Sequence, residues 1–232
     1  MIAEKATRVL VVDDEPQILR VLRRSLESNG YEVVTAPEAT TALNTLRTTE
    51  VHMVITDLRM PDMDGVELCS EIRKSSSMPI LIISVKGEEE TKVRALDAGA
   101  DDYVTKPFGI EELMARVRAL SRRAANPSPD SPVLSVGDFR IEPDQRRVFV
   151  RDKEVRLTPK EYELLVYFMS NHGKVLTQRV VLKAVWGPYS SEQFEYLRVF
   201  VGQLRKKIER DSRAPKYITT EPWIGYRFNP AP

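Results

Sequence analysis

Acidic, hydroxyl and amine side chains stand at the ends of four apolar runs in the first half of the sequence. They are, in chain order, Asp13 and Asp14, then Asp57, Ser84 and Lys106. Three carboxylates close together repel one another unless a cation neutralises them, and hard oxygen ligands select Mg²⁺. A neighbouring ammonium and hydroxyl can hold the oxygens of an incoming phosphoryl group while a carboxylate acts as the nucleophile. The set therefore predicts phosphoryl transfer onto a carboxylate, with Mg²⁺ as the cofactor.

Short apolar runs alternate with longer amphipathic stretches in the part of the chain that contains these residues. The runs are Val9–Val12, Val33–Thr35, Val51–Thr56, Ile80–Ser84 and Tyr103–Thr105. Five β-then-α units of this kind predict an α/β domain, a doubly wound five-stranded parallel sheet with helices on both faces. Ligands of such sheets bind at the carboxyl ends of the strands, which is where the reactive side chains fall. The alternative, that each carboxylate only caps a helix, suits a single aspartate but not the ordered set.

The charge of the chain is divided between its two halves. Residues 1–121 contain 15 Lys and Arg against 21 Asp and Glu, a balance of −6, whereas residues 122–232 contain 20 against 13, a balance of +7. Unless this segregation is due to chance, the acidic half suits cation or phosphate chemistry and the basic half suits a polyanionic partner. The segment 124–132, with three prolines and no apolar run, has the composition of a linker. We therefore predict domains at residues 1–123 and 133–232.

Composition argues against a membrane or secreted protein. No uninterrupted apolar stretch approaches the roughly 20 residues that span a bilayer, and residues 1–7 lack the apolar core of a signal peptide. A single cysteine, Cys69, cannot form an internal disulfide, which fits a reducing cytoplasm. No second set of catalytic residues follows residue 132, so an enzymatic output is not expected.

The second half of the chain has a different pattern of elements. Two stretches, 134–141 and 148–155, are typical of short antiparallel strands. The sequence from Thr158 to Glu161 is a capping box with proline at the first helical position, and Thr177 is placed to cap a second helix. A third helix over 192–210 and a hairpin over 217–228 complete an α+β winged helix-turn-helix domain.

The predicted third helix has one apolar and one polar face. The apolar stripe consists of Leu197, Val201, Leu204 and Ile208. The opposite surface is predicted to carry Arg198, Gly202, Arg205, Lys206 and Glu209, with Gln203 adjacent. Arg and Gln on such a helix can contact base edges in a major groove, and a glycine allows close approach to DNA. The alternative, a solvated basic face, accounts for the charges but not for the surrounding fold.

Three stretches of the first domain, Val11–Glu15, Asp57–Gly65 and Ala98–Phe108, resemble the flavodoxin-like receiver domain of two-component response regulators. The resemblance implies that Asp57 is the phosphoacceptor and that Ser84 and Lys106 contact the phosphoryl oxygens. It also implies that Asp14 binds Mg²⁺ directly, that Asp13 binds it mainly through water, and that the Arg59 carbonyl completes the protein ligands. The peptide between Lys106 and Pro107 is expected to be cis. Catalysis would be limited to the domain's own phosphorylation and dephosphorylation.

The same resemblance assigns a switch and a dimer interface. Ser84 and Tyr103 occupy the switch positions, and Tyr103 is expected to rotate inward when the phosphoryl group draws Ser84 toward it. Tyr103 could instead be an ordinary strand aromatic. Three charged pairs match positions that pair across a receiver dimer, and most such residues could equally be solvated. The pairs are Lys92 with Glu112, Asp97 with Arg118, and Asp102 with Arg116.

Four stretches of the second domain, Leu157–Leu165, Gly173–Arg179, Val185–Gly187 and Gly225–Phe228, resemble the OmpR/PhoB-type DNA-binding domain. The resemblance implies a sensor histidine kinase, double-stranded promoter DNA and RNA polymerase as partners, and a homodimer on phosphorylation. Within the subfamily, residues 106–110 and 196–202 resemble regulators of potassium-uptake genes. The remaining alternative is a phosphotransfer protein whose basic domain docks on another protein.

One segment departs from the subfamily pattern. Wings in this family commonly contain Arg-Gly-x-Gly-Tyr, whereas this chain has Pro222, Trp223, Ile224, Gly225 and Tyr226. The arginine expected to enter the minor groove is missing, which puts base contact by the wing in doubt. We expect Trp223 to pack either on the sugar-phosphate surface of DNA or on a neighbouring protomer.

Overall fold

The computed structural model describes residues 6–85, 89–124, 133–187, 190 and 193–231. The chain divides into two compact units, Met1–Ala124 and Ala125–Pro232. Residues 125–132, most of the predicted linker, lie outside the described residues, so the linker stays a prediction. No helix in the described part of the chain is long and apolar enough to cross a membrane.

The first unit is an α/β layer structure. Its strands are β1 (Arg8–Val12), β2 (Glu32–Ala36), β3 (Met53–Asp57), β4 (Ile80–Val85) and β5 (Asp102–Lys106). Its helices are α1 (Pro16–Glu27), α2 (Ala39–Thr48), α3 (Gly65–Arg73), α4 (Glu89–Asp97) and α5 (Ile110–Ala124). All strand pairs are parallel, in the order β2-β1-β3-β4-β5. The predicted five-stranded parallel sheet is confirmed.

The middle strands are continuous apolar runs because both faces of the sheet are covered. Every residue of β3 is buried, as are the first five of β4. Helices α1 and α5 contribute Leu22, Leu26 and Val117 to a core cluster that includes Val9 and Ile55. Burial of this apolar surface is the main force that holds the helices against the sheet.

The order of the strands creates the crevice that the reactive residues share. From β1 the chain goes first to β2 on one side and later to β3 on the other, so a switch point lies between β1 and β3. Val12 pairs in register with Thr56. The next residues, Asp13 and Asp57, therefore emerge side by side at the carboxyl edge of the sheet.

The second unit contains two antiparallel sheets and three helices. Strands β6 (Leu134–Val136), β7 (Phe139–Glu142), β8 (Arg147–Val150) and β9 (Lys153–Glu154) form one sheet in that order. Strands β10 (Val175–Thr177), β11 (Ile218–Glu221) and β12 (Gly225–Phe228) form the other, with β12 in the middle. The helices are α6 (Pro159–Ser170), α7 (Gln178–Trp186) and α8 (Phe194–Ile208).

Two strand predictions in this unit were wrong in detail, because each predicted strand contains a turn. The stretch 134–141 folds back between β6 and β7. The stretch 148–155 reverses at Arg151 and Asp152, whose φ values of 51° and 61° are those of a two-residue hairpin turn. The first turn, at Gly137 and Asp138, carries a glycine signal that was not used, whereas the second contains neither glycine nor proline.

The predicted helix caps are confirmed. Thr158 accepts a hydrogen bond from the Glu161 N–H while the Glu161 side chain accepts one from the Thr158 N–H, and Thr177 accepts one from the Val180 N–H. Helix α8 ends at Ile208, two residues before the predicted end. Glu209 leaves the helix with ψ 158° and accepts backbone N–H groups at 2.9–3.0 Å from residues 216–218. This removes Glu209 from the exposed face on which it was predicted to lie.

Candidate functional site

Two buried carboxylates and one lysine meet at the carboxyl edge of the first sheet. Asp57 is the last residue of β3, and Asp13, which is 0% exposed, follows β1. Lys106, the last residue of β5, reaches across the crevice, with Nζ 2.6 Å from Oδ1 of Asp57 and 3.2 Å from Oδ2 of Asp13. Its third neighbour is the exposed Glu15, whose Oε1 lies 3.5 Å away. The structure thus brings together three of the residues predicted from the sequence, while Asp14 is exposed.

Burial and charge act against each other in this crevice. Burial raises the pKa of Asp13, although the Glu15 N–H and Lys106 counteract the rise by bonding to the carboxylate. Burial alone would lower the pKa of Lys106, but its hydrogen bond to Asp57 and the charges of Asp57 and Asp13 raise it overall. Lys106 is therefore a permanent cation at neutral pH, held between two carboxylates.

The loop after β3 orients the Asp57 carboxylate. The Arg59 N–H donates to Oδ2 of Asp57 at 2.8 Å, which leaves Oδ1 facing Lys106. At the end of the loop, a Cβ on Gly65 would lie 2.3 Å from the Asp57 carbonyl oxygen, so only glycine allows this close return of the chain.

Asp62, in the same loop, was not singled out from the sequence. It accepts hydrogen bonds from the Ala39 N–H at 3.2 Å and the Thr40 N–H at 2.9 Å, and so caps α2 from outside that helix. Glu38, the residue at the N-cap position, makes no side-chain capping bond. Sequence periodicity could not have identified this cap because the two partners are more than 20 residues apart.

The described residues contain no group of three or more His, Cys, Asp or Glu side chains arranged to hold a metal ion. The three aspartates of the crevice do not form such a group, because Lys106 lies between Asp13 and Asp57 and Asp14 points into solvent. The chemistry of the donors nevertheless fits Mg²⁺, which prefers carboxylate and carbonyl oxygens and keeps several waters.

In the second unit, α8 presents two different faces. Leu197, Val201, Leu204 and Ile208 are buried, as predicted from their spacing. Arg198 and Lys206 are exposed on the other face, and a Cβ at Gly202, between them along the helix, would meet no atom within 4 Å. This face is open and carries two cations about 2.2 helical turns apart.

Two further residues predicted to contact DNA, Arg205 on that face and Gln203 next to it, are not part of the open surface. Gln203 is only 8% exposed and lies one helical turn after the buried Phe200. Arg205 bonds to the second sheet, with Nε and Nη2 donating to the Ile218 carbonyl at 2.9 and 2.6 Å and Nη2 also donating to Thr220 Oγ1 at 2.9 Å. The exposed polar face of α8 is therefore narrower than the helical pattern suggested.

Comparison with protein families matches both units. A model described as response regulator receiver domain matches residues 9–118, and one described as transcriptional regulatory protein, C terminal, matches residues 152–228. The KDP operon transcriptional regulatory protein KdpE of Escherichia coli K12 is 44% identical over 223 residues, which cover 96% of this chain and 99% of the relative.

The chain belongs to the OmpR/PhoB subfamily of two-component response regulators.

Further relatives agree over the whole length. KdpE of Mycobacterium tuberculosis is 43% identical over 223 residues, covering 96% of this chain and 99% of the relative. The crystal structure of DrrB, a Thermotoga maritima OmpR/PhoB homolog, covers 97% of this chain and 99% of its own, with 31% identity and a TM-score of 0.52. The response regulator described here is thus a two-component transcription regulator, with a receiver domain followed by a winged-helix DNA-binding domain. Its relatives are transcriptional regulators rather than enzymes.

The two predicted switch residues of the receiver face each other inside the domain. Tyr103 is 1% exposed, so the structure has the inward arrangement that was expected to follow from movement of Ser84. Burial raises the pKa of the Tyr103 phenol, and the nearby Ser84 hydroxyl counteracts part of the rise. Neither hydroxyl has a regular hydrogen bond within the described residues. From α4, Nζ of Lys92 lies 5.4 Å from the centre of the Tyr103 ring.

One of the three charged pairs predicted across a receiver dimer is formed within the chain. Nη1 of Arg116 lies 2.9 and 3.0 Å from the two carboxylate oxygens of Asp102, and both side chains are buried. The same guanidinium binds Glu112, with Nη2 3.0 Å from Oε1. Asp102 and Arg116 are therefore not exposed as expected, whereas Asp97 and Arg118 are.

The peptide between Lys106 and Pro107 is cis, as predicted. The wing is the hairpin of β11 and β12, and its tip is a turn from Glu221 to Ile224 that is closed by a 3.1 Å hydrogen bond from the Ile224 N–H to the Glu221 carbonyl. Trp223 occupies the third position of this turn, with φ 65°.

Proposed function

We propose that Asp57 is the phosphoacceptor of this response regulator and that a sensor histidine kinase is the donor. The observation that carries the proposal is the ion pair between Lys106 Nζ and Asp57 Oδ1 at 2.6 Å, together with the Arg59 N–H that holds Oδ2. A carboxylate oriented by a backbone N–H and faced by a fixed cation is suited to attack a phosphoryl group, because the cation stabilises the negative charge that arrives with it.

In the transfer, the P–N bond to the kinase histidine breaks as a P–O bond to Asp57 forms. Lys106 and Ser84 are proposed to hold the phosphoryl oxygens, since the ammonium is already in the crevice and the Ser84 hydroxyl is buried on the neighbouring strand. Loss of the phosphoryl group to water would return the aspartate. Catalysis by the chain would be limited to these two reactions on itself.

Receiver domains generally bind Mg²⁺ at the phosphorylation site. We assign this ion to Asp13, Asp14, Asp57 and the Arg59 carbonyl, and when bound it would offset negative charge on the phosphoryl oxygens. Support comes from Asp13, whose carboxylate is fully buried against Lys106 and Asp57 and has its pKa raised by that burial. A divalent cation relieves such a cost more fully than the lysine alone.

The proposed consequence of phosphorylation is a homodimer through α4, β5 and α5. Ser84 and Tyr103 would couple the phosphoryl group to this face, on which Lys92 lies against the Tyr103 ring. The exposed Asp97 and Arg118 remain candidates for a pair across the dimer, as do Lys92 and Glu112. The buried Asp102–Arg116 pair is assigned a supporting role instead, because Arg116 also holds Glu112 in place.

Paired receivers would bring two winged helices to one promoter. We assign DNA contact to Arg198, Gly202 and Lys206, whose positions on the open face of α8 support a helix in the major groove. RNA polymerase is the expected further partner. The two KdpE relatives, one of them described as a regulator of the KDP operon, support potassium-uptake genes as targets.

Treatment with acetyl phosphate and Mg²⁺ tests the receiver part of this proposal. The wild-type protein should gain a phosphoryl group and shift toward dimer in sedimentation, and it should enrich specific genomic fragments more strongly. Asp57→Ala should do none of these, while Glu27→Ala, at the far end of α1 from the crevice, should behave as wild type. Phosphate-dependent dimerisation of Asp57→Ala would contradict the assignment.

A further inference from the structure

The tip of the wing contains a tryptophan that is fully exposed and has a positive φ. Trp223 has φ 65° and a side chain that is 102% exposed, and the next residue, Ile224, is also exposed. Pro222 precedes it in the second position of the turn, and the third position has the positive φ of a type II turn, for which glycine is the favoured residue.

Folding does not account for this residue. A side chain with its whole surface in solvent gains no free energy from burial, and a positive φ is strained for a bulky residue. Large aromatic surfaces that are left exposed on a strained turn commonly mark a contact with another molecule. The proline, the tryptophan and the isoleucine together make an apolar tip.

The tip is mounted rigidly on the DNA-binding domain. The Gln178 N–H at the start of α7 donates to the Ile224 carbonyl at 3.4 Å, and Arg205 of α8 bonds to Thr220 on β11. Glu221 and Arg227, which are diagonal neighbours across the hairpin, form an ion pair of 2.7 Å. The wing therefore has a fixed position relative to both helices.

Cationic side chains lie near the tip. Arg179, one residue after the contact of α7 with the wing, is exposed. Arg198 lies close enough to β12 for its charge to lower the pKa of Tyr226, which burial raises. An apolar tip among cations fits a surface that alternates negative charge with apolar groups, and the backbone of duplex DNA, with its phosphates and deoxyribose rings, is such a surface.

We propose that Trp223, supported by Ile224, packs against deoxyribose rings of the same duplex that α8 binds. The contact is apolar and releases no counterions, so it should strengthen binding equally at all salt concentrations. The proposal rests on the proposed DNA binding by α8, and it assigns to the wing a contact that needs no arginine.

Tryptophan fluorescence can observe the contact directly. The chain has two tryptophans, and the other, Trp186, is only 3% exposed. Quenching by acrylamide, a neutral molecule that DNA does not repel, reports the exposure of Trp223, and Trp223→Phe gives the signal of Trp186 alone. The probe is a duplex genomic fragment enriched by the wild-type protein. On saturation, emission should shift to the blue and most of the quenching of Trp223 should be lost.

Binding measurements from low to high salt separate the proposed contact from the proposed function. Trp223→Gly should bind at least about fivefold more weakly, the loss typical of a contact aromatic, with the same salt dependence and an unfolding midpoint no lower than wild type. Arg198→Ala should reduce the salt dependence by about one counterion. Val21→Ala, which removes an exposed apolar side chain of the receiver, should change neither.

The outcomes distinguish failure of the Trp223 contact from failure of DNA binding by α8. If the wild-type protein binds the duplex, Arg198→Ala is weakened, and Trp223→Gly is not, the wing contact is wrong while DNA binding by α8 stands. Protection of Trp223 that appears without DNA as the protein concentration rises would identify a second copy of the chain as the partner and would overturn the proposal. If the wild-type protein selects no duplex, both fail together.

Discussion

The Lys106 ammonium forms an ion pair with Oδ1 of Asp57, 2.6 Å away, across the carboxyl edge of the receiver sheet. It also contacts Asp13, so one cation serves two buried carboxylates. A single lysine cannot satisfy both, since the pKa of Asp13 remains raised by its burial. The crevice therefore has excess negative charge that a second cation could neutralise. We expect this excess charge to lower the free energy of unfolding of the receiver.

Asp13→Asn should raise the free energy of unfolding at pH 7 by roughly 1 kcal/mol, the common size of single-residue effects. A carboxyl with a raised folded pKa contributes stability only below its unfolded pKa of about 4, and that contribution is lost as the pH rises through the folded value. The gain from asparagine should therefore be present at pH 7 and small below pH 4. Chemical denaturation at the two pH values measures it, and a variant less stable than wild type at both would contradict the prediction.

Mg²⁺ should stabilise the wild-type receiver. A ligand at 100 times its dissociation constant adds about 2.7 kcal/mol to the free energy of unfolding when only the folded state binds it. Thermal unfolding with and without Mg²⁺ should show an increase in Tm for the wild type and little or none for Asp13→Asn. Glu27→Ala is the control, and an equal increase in all three proteins would mean that the ion binds elsewhere.

Asp62 should stabilise α2 in a pH-dependent way. Its hydrogen bonds to Thr40 and Ala39 lower its pKa to about 2, although burial acts in the opposite direction. A carboxyl with a lowered pKa contributes stability above its unfolded pKa of about 4 and loses it as the pH falls toward the folded value. Asp62→Ala should cost about 1 kcal/mol at pH 7, as for other helix caps, and less at pH 2.

The matched control for this cap is Asp62→Asn, which keeps an acceptor oxygen but cannot titrate. It should retain most of the stability at pH 7, and its difference from alanine should not change between pH 4 and pH 2. If the alanine variant were as stable as wild type at pH 7, the bonds of Asp62 to α2 would contribute nothing.

Substitution of Arg116 should reduce the stability of the receiver, whereas substitution of Arg118 should weaken its dimer. Arg116 is buried with Asp102, so Arg116→Ala leaves a buried carboxylate without its partner and should cost about 3–5 kcal/mol of receiver stability. Arg118 is exposed, so Arg118→Ala should change stability by less than about 0.5 kcal/mol but weaken the dimer formed after phosphorylation. Denaturation and sedimentation measure the two effects, and similar stabilities of both variants would contradict this division.

Two substitutions in α8, at Lys206 and at Gln203, should affect DNA binding differently. Lys206→Ala should weaken binding to all duplexes and reduce its salt dependence by about one counterion, because Lys206 is exposed on the open face. Gln203→Ala should leave both the affinity and its salt dependence nearly unchanged, because Gln203 is buried and uncharged. Fluorescence anisotropy at several salt concentrations distinguishes the two variants. A loss of affinity in Gln203→Ala with an unchanged unfolding midpoint would place Gln203 at the DNA after all.

The sequence alone determined the two-domain plan and the reactive set at the carboxyl edge of the receiver sheet. Alternating apolar runs specify a parallel sheet because its strands are buried on both faces, and residues that follow such runs must share one edge. Asp13, Asp57 and Lys106 meet for that reason. The caps at Thr158 and Thr177 were equally readable, since each depends on residues within one turn of helix.

Only the tertiary structure decided which charged and polar side chains form hydrogen bonds or ion pairs within the chain. Asp102 and Arg116 are 14 residues apart, Arg205 and Ile218 are 13 apart, and each pair meets because separate elements pack together. A helical pattern gives the angle of a side chain around the helix axis but not how closely the neighbouring elements pack, which is why Gln203, predicted to lie next to the polar face, was not recognised as buried. The exposure of Trp223 was decided in the same way, because a turn's backbone angles and the space around its tip depend on the strands that it joins.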